Sequence, residues 1–156
     1  MGWGVIRQEG NRLTYLQHGA IVTPASWEMP LRLGRLFEGV TELVMGYRPE
    51  AVAVEELFFN TNVSTAITVG QARGVAILAA YRAGLEVAEY TPLQVKQAVT
   101  SYGRAEKRQV QEMVRSLLNL REIPKPDDAA DGLAIAITHA FSSRTGGRKG
   151  KVGVGK

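Results

Sequence analysis

Three aspartates close together near the end of the sequence are the first candidates for chemistry. Asp127, Asp128 and Asp131 are the only aspartates in the chain, and all three lie in the stretch PKPDDAADGLAIAITH. Asp127 is a favourable N-cap for the apolar helix that follows, and Asp128 and Asp131 then project from one helix face. Acids in a first helical turn also complement the macrodipole without any chemical role. A further carboxylate from another element would instead favour a site for paired hard cations.

Glu55 is the candidate for that further carboxylate. It is the last residue of the strand AVAVE, within the longer apolar run AVAVEELFF, which is typical of a strand buried on both faces. A glutamate at a buried position is costly unless it is paired, protonated or bound to a cation, although one at a strand end can also simply reach water. Strand alternation directs Glu56 to the opposite face. Converging on two magnesium ions, Glu55, Asp128 and Asp131 would clamp the attacking water and the leaving oxygen of a phosphodiester.

Aromatic and basic residues near these acids are candidates for contacts with a nucleic acid. Phe58 directly follows the glutamate-bearing run and precedes a polar loop, so its ring could stack on unpaired bases or could simply cap the core. Basic side chains near two predicted helix starts could hold phosphates or be ordinary surface residues, and they are Lys96, Arg104, Lys107 and Arg108.

The last residues, 142–156, form a basic tail of different composition. They contain five cations and no acid, so the rest of the chain carries 4 − 5 = −1. We predict that this glycine- and lysine-rich tail is disordered, and its charge suits either a polyanion or solubility alone. The remaining residues, 1–141, are predicted to form one domain, because 156 residues with 45% apolar content suffice for one buried core.

Composition also excludes several classes of protein. The chain has no cysteine, which excludes disulfides, thiolate metal sites and cysteine nucleophiles. Its two histidines, His18 and His139, are too far apart for zinc-type spacing. We see neither a signal-peptide pattern nor an apolar run of membrane-spanning length, and therefore predict a cytoplasmic protein without a membrane partner.

The elements that must position these residues alternate between strand and helix after an N-terminal β-meander. Periodicity and turn residues predict strands at 2–8, 13–23 (one or two strands), 51–59 and 85–90, and helices at 31–45, 62–83, 92–101, 104–120 and 127–141. This order predicts an α/β fold with a mixed sheet covered by helices on both faces. Gly70 and Gly74, four apart on one helix face, would permit close approach of another helix.

Four long segments resemble the RuvC family of Holliday-junction resolvases. They are AVAVEELFF, NTNVSTAITVGQARGVAILAA, QVKQAVTSYGRAEKRQVQEMV and DAADGLAIAITHA, and the resemblance runs from Gly2 to about Phe141 in order. It implies an RNase H-like fold and a homodimer that makes paired symmetric nicks in four-way junction DNA. It also implies two Mg²⁺ ions per active site, with Mn²⁺ as a substitute, and partnership with the branch-migration proteins RuvA and RuvB.

The resemblance also assigns roles to individual residues. Glu55, Asp128 and Asp131 match the acidic metal ligands of the family. Lys96 and Lys107 match its DNA-contacting and catalytic lysines, so Lys107 is expected to be catalytic as well as DNA-binding. Phe58 matches the aromatic residue near the junction centre, and we expect further DNA contacts from Asn62, Arg73 and Arg104.

The chain departs from the family pattern at its start. Family members begin with a strand containing glycine, isoleucine, aspartate, proline and glycine, and this aspartate is the fourth metal ligand. Here Met1–Ile6 matches the segment after it, so we expect the first strand of the family fold to be absent. Two central strands would then have unpaired backbone groups, which suggests an internal start or a shortened chain. Two alternatives remain: an inactive, truncated module that binds junction DNA, and a related nuclease that acts on another nucleic acid, such as an RNA–DNA hybrid.

Overall fold

The computed structural model describes residues 1–57, 63–144 and 153–154. Its strands and helices follow the predicted order, with one additional short strand at the end. The elements are β1 (Gly2–Glu9), β2 (Arg12–Ala20), α1 (Met29–Tyr47), β3 (Ala51–Glu55), α2 (Val63–Arg82), β4 (Glu86–Tyr90), α3 (Pro92–Thr100), α4 (Lys107–Leu117), α5 (Asp127–Arg144) and β5 (Gly153–Val154).

Instead of one mixed sheet, the described strands form a three-stranded antiparallel sheet in the order β2–β1–β5 and a two-stranded parallel sheet of β3 and β4. β1 and β2 form an antiparallel hairpin whose turn contains Gly10 at a φ of 58°, a value that glycine adopts without strain. β3 and β4 pair in parallel, from Ala51 opposite Glu86 to Glu55 opposite Tyr90. On the edge of β1 away from β2, β5 pairs antiparallel with Trp3 and Gly4. The expectation of an unpaired central edge is therefore wrong at these residues of β1.

Helix α5 forms the centre of the main core. Nearly every residue from Ala129 to Ala140 is buried, most of them apolar, including Leu133, Ile135 and Ile137. α3 and α4 pack against it, and so does β1. The contact with β1 is unusually close: a Cβ atom on Gly132 would lie 2.7 Å from the carbonyl carbon of Trp3. The backbones of α5 and β1 therefore approach more closely than any residue with a side chain would permit at this point.

A second layer is formed by α1 and α2, which pack against each other and bury Leu36, Val40, Ala76 and Ala79. Contrary to the sequence-based expectation, α2 is long and apolar enough to cross a membrane by length and composition, with a mean hydropathy of 1.3. In the fold this helix contacts α1, β3 and β4. Burial of its alanine face accounts for part of its apolar composition.

Several predicted boundaries move. α3 begins as predicted, because Thr91 and Gln94 form a capping box. α4 begins at Lys107 rather than 104, since Glu106 and Gln109 form another reciprocal cap. α5 continues to Arg144, so the basic tail as predicted includes the end of a helix. Apart from Gly153–Val154, the tail after Arg144 lies outside the described residues.

Candidate active site

Two of the predicted acidic residues, on two different elements, line one cavity. Glu55 is the last residue of β3, and Asp128 lies in the first turn of α5. Both border a cavity of about 330 Å³, together with Arg32 from α1 and Arg73 from α2. Glu55 is half-buried and Asp128 is exposed at the rim. A carboxylate at a strand end and one on a late helix therefore face a common space, as the sequence predicts.

Asp128 is positioned by the close packing of α5 on β1. A Cβ atom on Gly2 would lie 2.0 Å from the backbone carbonyl oxygen of Asp128 and 2.6 Å from its Cβ. Gly4 packs in the same way, with a Cβ atom there only 2.6 Å from the Leu133 side chain. The glycines on β1 thus determine the distance between the sheet and the first turns of α5. These turns carry the aspartates.

Asp131 lies one helical turn beyond Asp128 and is coupled to both other acids. Burial raises the pKa of Asp131, the negative charges of Glu55 and Asp128 raise it further, and Lys107 opposes the rise. Grouped carboxylates with a raised pKa are typical of sites that receive a cation. Within the described part of the chain, however, no three acidic or histidine side chains are close enough to form a ready-made metal site. The three carboxylates surround one region without meeting at a point.

Lys107 stands between two of the aspartates. Its Nζ lies 3.5 Å from Oδ2 of Asp131 and 3.5 Å from Oδ2 of Asp127. Burial lowers the pKa of Lys107, but the carboxylates of Asp131 and Asp127 outweigh this effect and the pKa rises. Asp127, predicted to be the N-cap of α5, lies within its first turn instead. Lys107 is therefore a protonated ammonium group fixed beside the acidic cluster.

Arg73, predicted to contact DNA, has partners within the protein. Its Nε donates a hydrogen bond of 2.9 Å to the backbone carbonyl oxygen of Glu55, and its Nη2 forms an ion pair with Glu89 on β4. The arginine side chain is only 20% exposed. A DNA contact by Arg73 stays a prediction, whereas its contact with the strand end is a feature of the fold.

The other predicted DNA-binding residues are less closely grouped. Arg104 and Arg108 are exposed and border a second, open cavity beside the start of α4, together with Tyr102. Lys96 is half-buried on α3. Phe58 and Asn62 lie outside the described residues. Nothing in the described residues tests these DNA contacts.

Sequence reasoning missed three features of the site: the contact of Arg73 with the Glu55 backbone, the two aspartate partners of Lys107, and the glycine contacts. The spacing of Gly2 and Gly4, two apart on a strand, places both on one face and was a usable signal for close helix packing. No local sequence pattern predicts the contacts of Arg73 and Lys107, because each joins residues that are far apart in the chain. Arg73 and Glu55 are 18 residues apart, and Lys107 and Asp131 are 24 apart.

This architecture is the mixed α/β type expected of an RNase H-like nuclease, with a strand-end glutamate and two helix aspartates around one region. The family model described as "Crossover junction endodeoxyribonuclease RuvC" matches residues 1–139. RuvC of Rubrobacter xylanophilus is 78% identical over 156 residues, which cover 100% of this chain and 86% of that protein. RuvC of Brevibacillus brevis is 60% identical over 140 residues, covering 90% of this chain and 84% of that protein.

Solved structures agree with the sequence relatives. The Thermus thermophilus RuvC structure matches with a TM-score of 0.86 and 42% identity, covering 97% of this chain and 92% of that one. The same protein in complex with a Holliday junction substrate matches with a TM-score of 0.83 and 41% identity, covering 96% and 90%. The chain belongs to the crossover junction endodeoxyribonuclease RuvC family, and its function is that of a Holliday junction resolvase. The predicted family, fold and function are confirmed.

Proposed function

We propose that this chain makes paired, symmetric nicks in four-way DNA junctions with Mg²⁺ held by Glu55, Asp128 and Asp131. The observation that carries the proposal is the shared cavity of Glu55 and Asp128, whose charges both raise the pKa of Asp131. Hard carboxylate oxygens suit Mg²⁺, and Mn²⁺ as a substitute, better than softer metals. We expect two ions per active site. When bound, such ions supply an activated water and neutralise charge on the phosphate.

Lys107 is the proposed catalytic cation of the protein itself. The neighbouring carboxylates keep its ammonium group protonated, and its side chain remains 53% exposed, so a phosphate can reach it. A protonated amine fixed beside the scissile phosphate stabilises the negative charge that develops there. Asp127 and Asp131 hold the amine in position before the substrate arrives. Phosphate contacts by Lys96 and Arg104, and junction contacts by Phe58 and Asn62, belong to the same proposal.

The homodimer is proposed to form through α2. One side of this helix is exposed, and its residues recur at intervals of four and three: Ile67, Gln71, Gly74, Leu78 and Tyr81. Three of them are large and apolar, with exposures of 57% for Ile67, 51% for Leu78 and 75% for Tyr81. This spacing is that of a helix–helix seam, and a Cβ atom on Gly74 would meet nothing within 4 Å, which leaves room for a second helix.

A two-fold dimer through this seam supplies two active sites for two symmetric strands. Leu78→Glu should convert the dimer to a monomer in analytical ultracentrifugation and replace paired nicks with single nicks. Leu31→Glu, an equally exposed leucine on α1, is the matched control and should stay dimeric. A dimeric Leu78→Glu variant would place the interface elsewhere. Cooperation with RuvA and RuvB is proposed from family membership alone.

The nuclease assignment is tested with a synthetic four-way junction in Mg²⁺, Mn²⁺ and Ca²⁺. Wild-type protein should nick the junction with Mg²⁺ or Mn²⁺ and leave linear duplex and RNA–DNA hybrid intact. Glu55→Gln and Asp128→Asn should bind the junction but lower nicking by more than about 100-fold. Glu56→Gln, on the neighbouring residue, is the control and should nick normally. Junction binding by wild-type protein without nicking in either metal would instead favour a binding module without catalysis.

A further inference from the structure

We propose that Arg73 is a positioning residue for the resolvase reaction, because it fixes the backbone at Glu55 and so directs the Glu55 carboxylate into the cavity. The proposal rests on the assignment of Glu55 to the active site. It replaces the predicted DNA contact of Arg73 with a role inside the protein. The contact that matters is made by one peptide group, which joins Glu55 to Glu56.

This peptide group is held from both sides. The N–H of Glu56 donates a hydrogen bond of 2.8 Å to the carbonyl oxygen of Tyr90, at the end of β4. In a planar trans peptide the carbonyl points away from the N–H, so the Glu55 carbonyl faces away from β4. There it accepts the 2.9 Å hydrogen bond from Nε of Arg73. With both sides held, rotation of the peptide plane is restrained, and the direction of the Glu55 Cα–Cβ bond, from which the carboxylate extends, is restrained with it.

Such a constraint is needed because the strand ends here. β3 ends at Glu55, and Glu56 and Leu57 do not continue it. Beyond Tyr90 the partner strand gives way to the capping box of Thr91 and to Pro92, which has no N–H to donate. The hydrogen bonds between β3 and β4 therefore cannot continue beyond the peptide group that joins Glu55 to Glu56. A contact from another element, here α2, has to take over.

Glu89 completes the arrangement by orienting the guanidinium group. It lies on β4 opposite Val54, one residue before the partner of Glu55, and forms an ion pair with Nη2 of Arg73. The two bonds use different nitrogens of a rigid, planar group, so the ion pair sets the angle at which Nε meets the carbonyl. Lysine has a single nitrogen on a flexible chain and cannot make both contacts in this way.

The test compares Arg73→Lys with the wild-type protein. Mn²⁺ affinity is measured by electron paramagnetic resonance without DNA, single-turnover nicking with Mg²⁺, and junction affinity in Ca²⁺. We expect Mn²⁺ affinity and nicking each to fall about 10- to 100-fold, as for residues that orient metal ligands, while junction affinity stays unchanged. Arg82→Lys, at the end of the same helix, should alter none of these values.

A second variant keeps the proposal testable if Arg73→Lys does not fold. Glu89→Gln changes a side chain that is 47% exposed, retains Arg73, and should lower Mn²⁺ affinity and nicking by a smaller factor. Reduced junction affinity with unchanged Mn²⁺ affinity would identify Arg73 as a DNA contact and overturn the proposal. Unchanged Mn²⁺ affinity and nicking in both variants would also overturn it. Failure of the proposed function is recognised separately, as normal nicking by Glu55→Gln.

Discussion

Replacing Gly132 with alanine should damage both stability and catalysis, although alanine normally strengthens a helix. The added methyl carbon would lie 2.7 Å from the carbonyl carbon of Trp3, 2.8 Å from its Cα and 2.9 Å from the nitrogen of Gly4. All three are backbone atoms of β1, so no side chain can rotate away. Cβ atoms essentially never come closer than 3.0 Å, and ordinary contact begins at 3.4 Å, so α5 must move from the strand by at least 3.0 − 2.7 = 0.3 Å and by 3.4 − 2.7 = 0.7 Å for an ordinary contact.

The expected free energies oppose each other. Overpacking of this kind costs about 1–3 kcal/mol. Replacing glycine with alanine inside a helix contributes about 0.5–1 kcal/mol of stability. The balance is a loss of about 0–2.5 kcal/mol in the free energy of unfolding, with a midpoint of about 1 kcal/mol, measured by urea denaturation. Gly34 on α1 is the matched control, because its Cβ atom would meet nothing within 4 Å. Gly34→Ala should gain about 0.5–1 kcal/mol.

The catalytic effect follows from the same displacement. Gly132 is adjacent to Asp131 and one helical turn from Asp128, so a shift of this helix moves both carboxylates relative to Glu55. Misplacement of about 1 Å can cost about 100-fold in rate, and we expect single-turnover nicking to fall about 10- to 100-fold. Junction affinity should not change. If Gly132→Ala were as stable and as active as Gly34→Ala, the close approach of α5 to β1 would have no role in positioning the acids.

Three further predictions concern charges. Lys107→Ala should lower nicking by about 100-fold, and in the metal-free protein it should raise the pKa of Asp131 further, which carbon NMR of the carboxyl group can follow. Asp131→Asn should abolish nicking yet stabilise the metal-free protein by about 1 kcal/mol or less at neutral pH, since a carboxyl whose folded-state pKa is raised costs stability when ionised. That gain should vanish in acid, where Asp131 is protonated in the folded and unfolded states alike. Replacing Lys149 and Lys151 with glutamine should make junction affinity less dependent on salt, with the slope reduced by about 0.9 for each phosphate that the variant no longer neutralises; an unchanged slope would show that these lysines do not touch DNA.

The sequence predicted the acidic residues of the site because each carries a local signal. Glu55 interrupts an apolar strand run, and Asp128 and Asp131 repeat at helical spacing before an apolar segment. The apolar run continues to residue 59, but β3 ends at Glu55, as expected for the last residue of the strand AVAVE. An apolar pattern indicates that a segment can form a strand. The backbone hydrogen bonds between two strands continue, however, only while the partner strand has N–H groups to donate. That partner, β4, is followed by the cap at Thr91 and by Pro92.

The remaining features depend on how distant elements pack. The contact between Arg73 and the Glu55 carbonyl depends on where α2 lies across β3 and β4. The composition and spacing of residues within α2 do not predict that position. The same holds for Lys107, whose partners depend on the angle between α4 and α5. The glycines of β1 were visible, but only the register of β1 on α5 shows that their missing side chains make room for the helix carrying the aspartates.

The acidic cluster combines a rigid frame with cations that reduce its repulsion. Burial raises the pKa of Asp131, and the negative charges of Glu55 and Asp128 raise it further, so these charges make ionisation of Asp131 less favourable. Burial of Leu133, Ile135 and Ile137 in the core holds α5 in place against this repulsion, while Lys107 offsets part of the charge directly. Arg73 acts on the same acid group through the backbone of Glu55 rather than through its carboxylate. A divalent cation bound among the three carboxylates, as proposed, would relieve this repulsion, and the free energy of that relief would contribute to binding the ion.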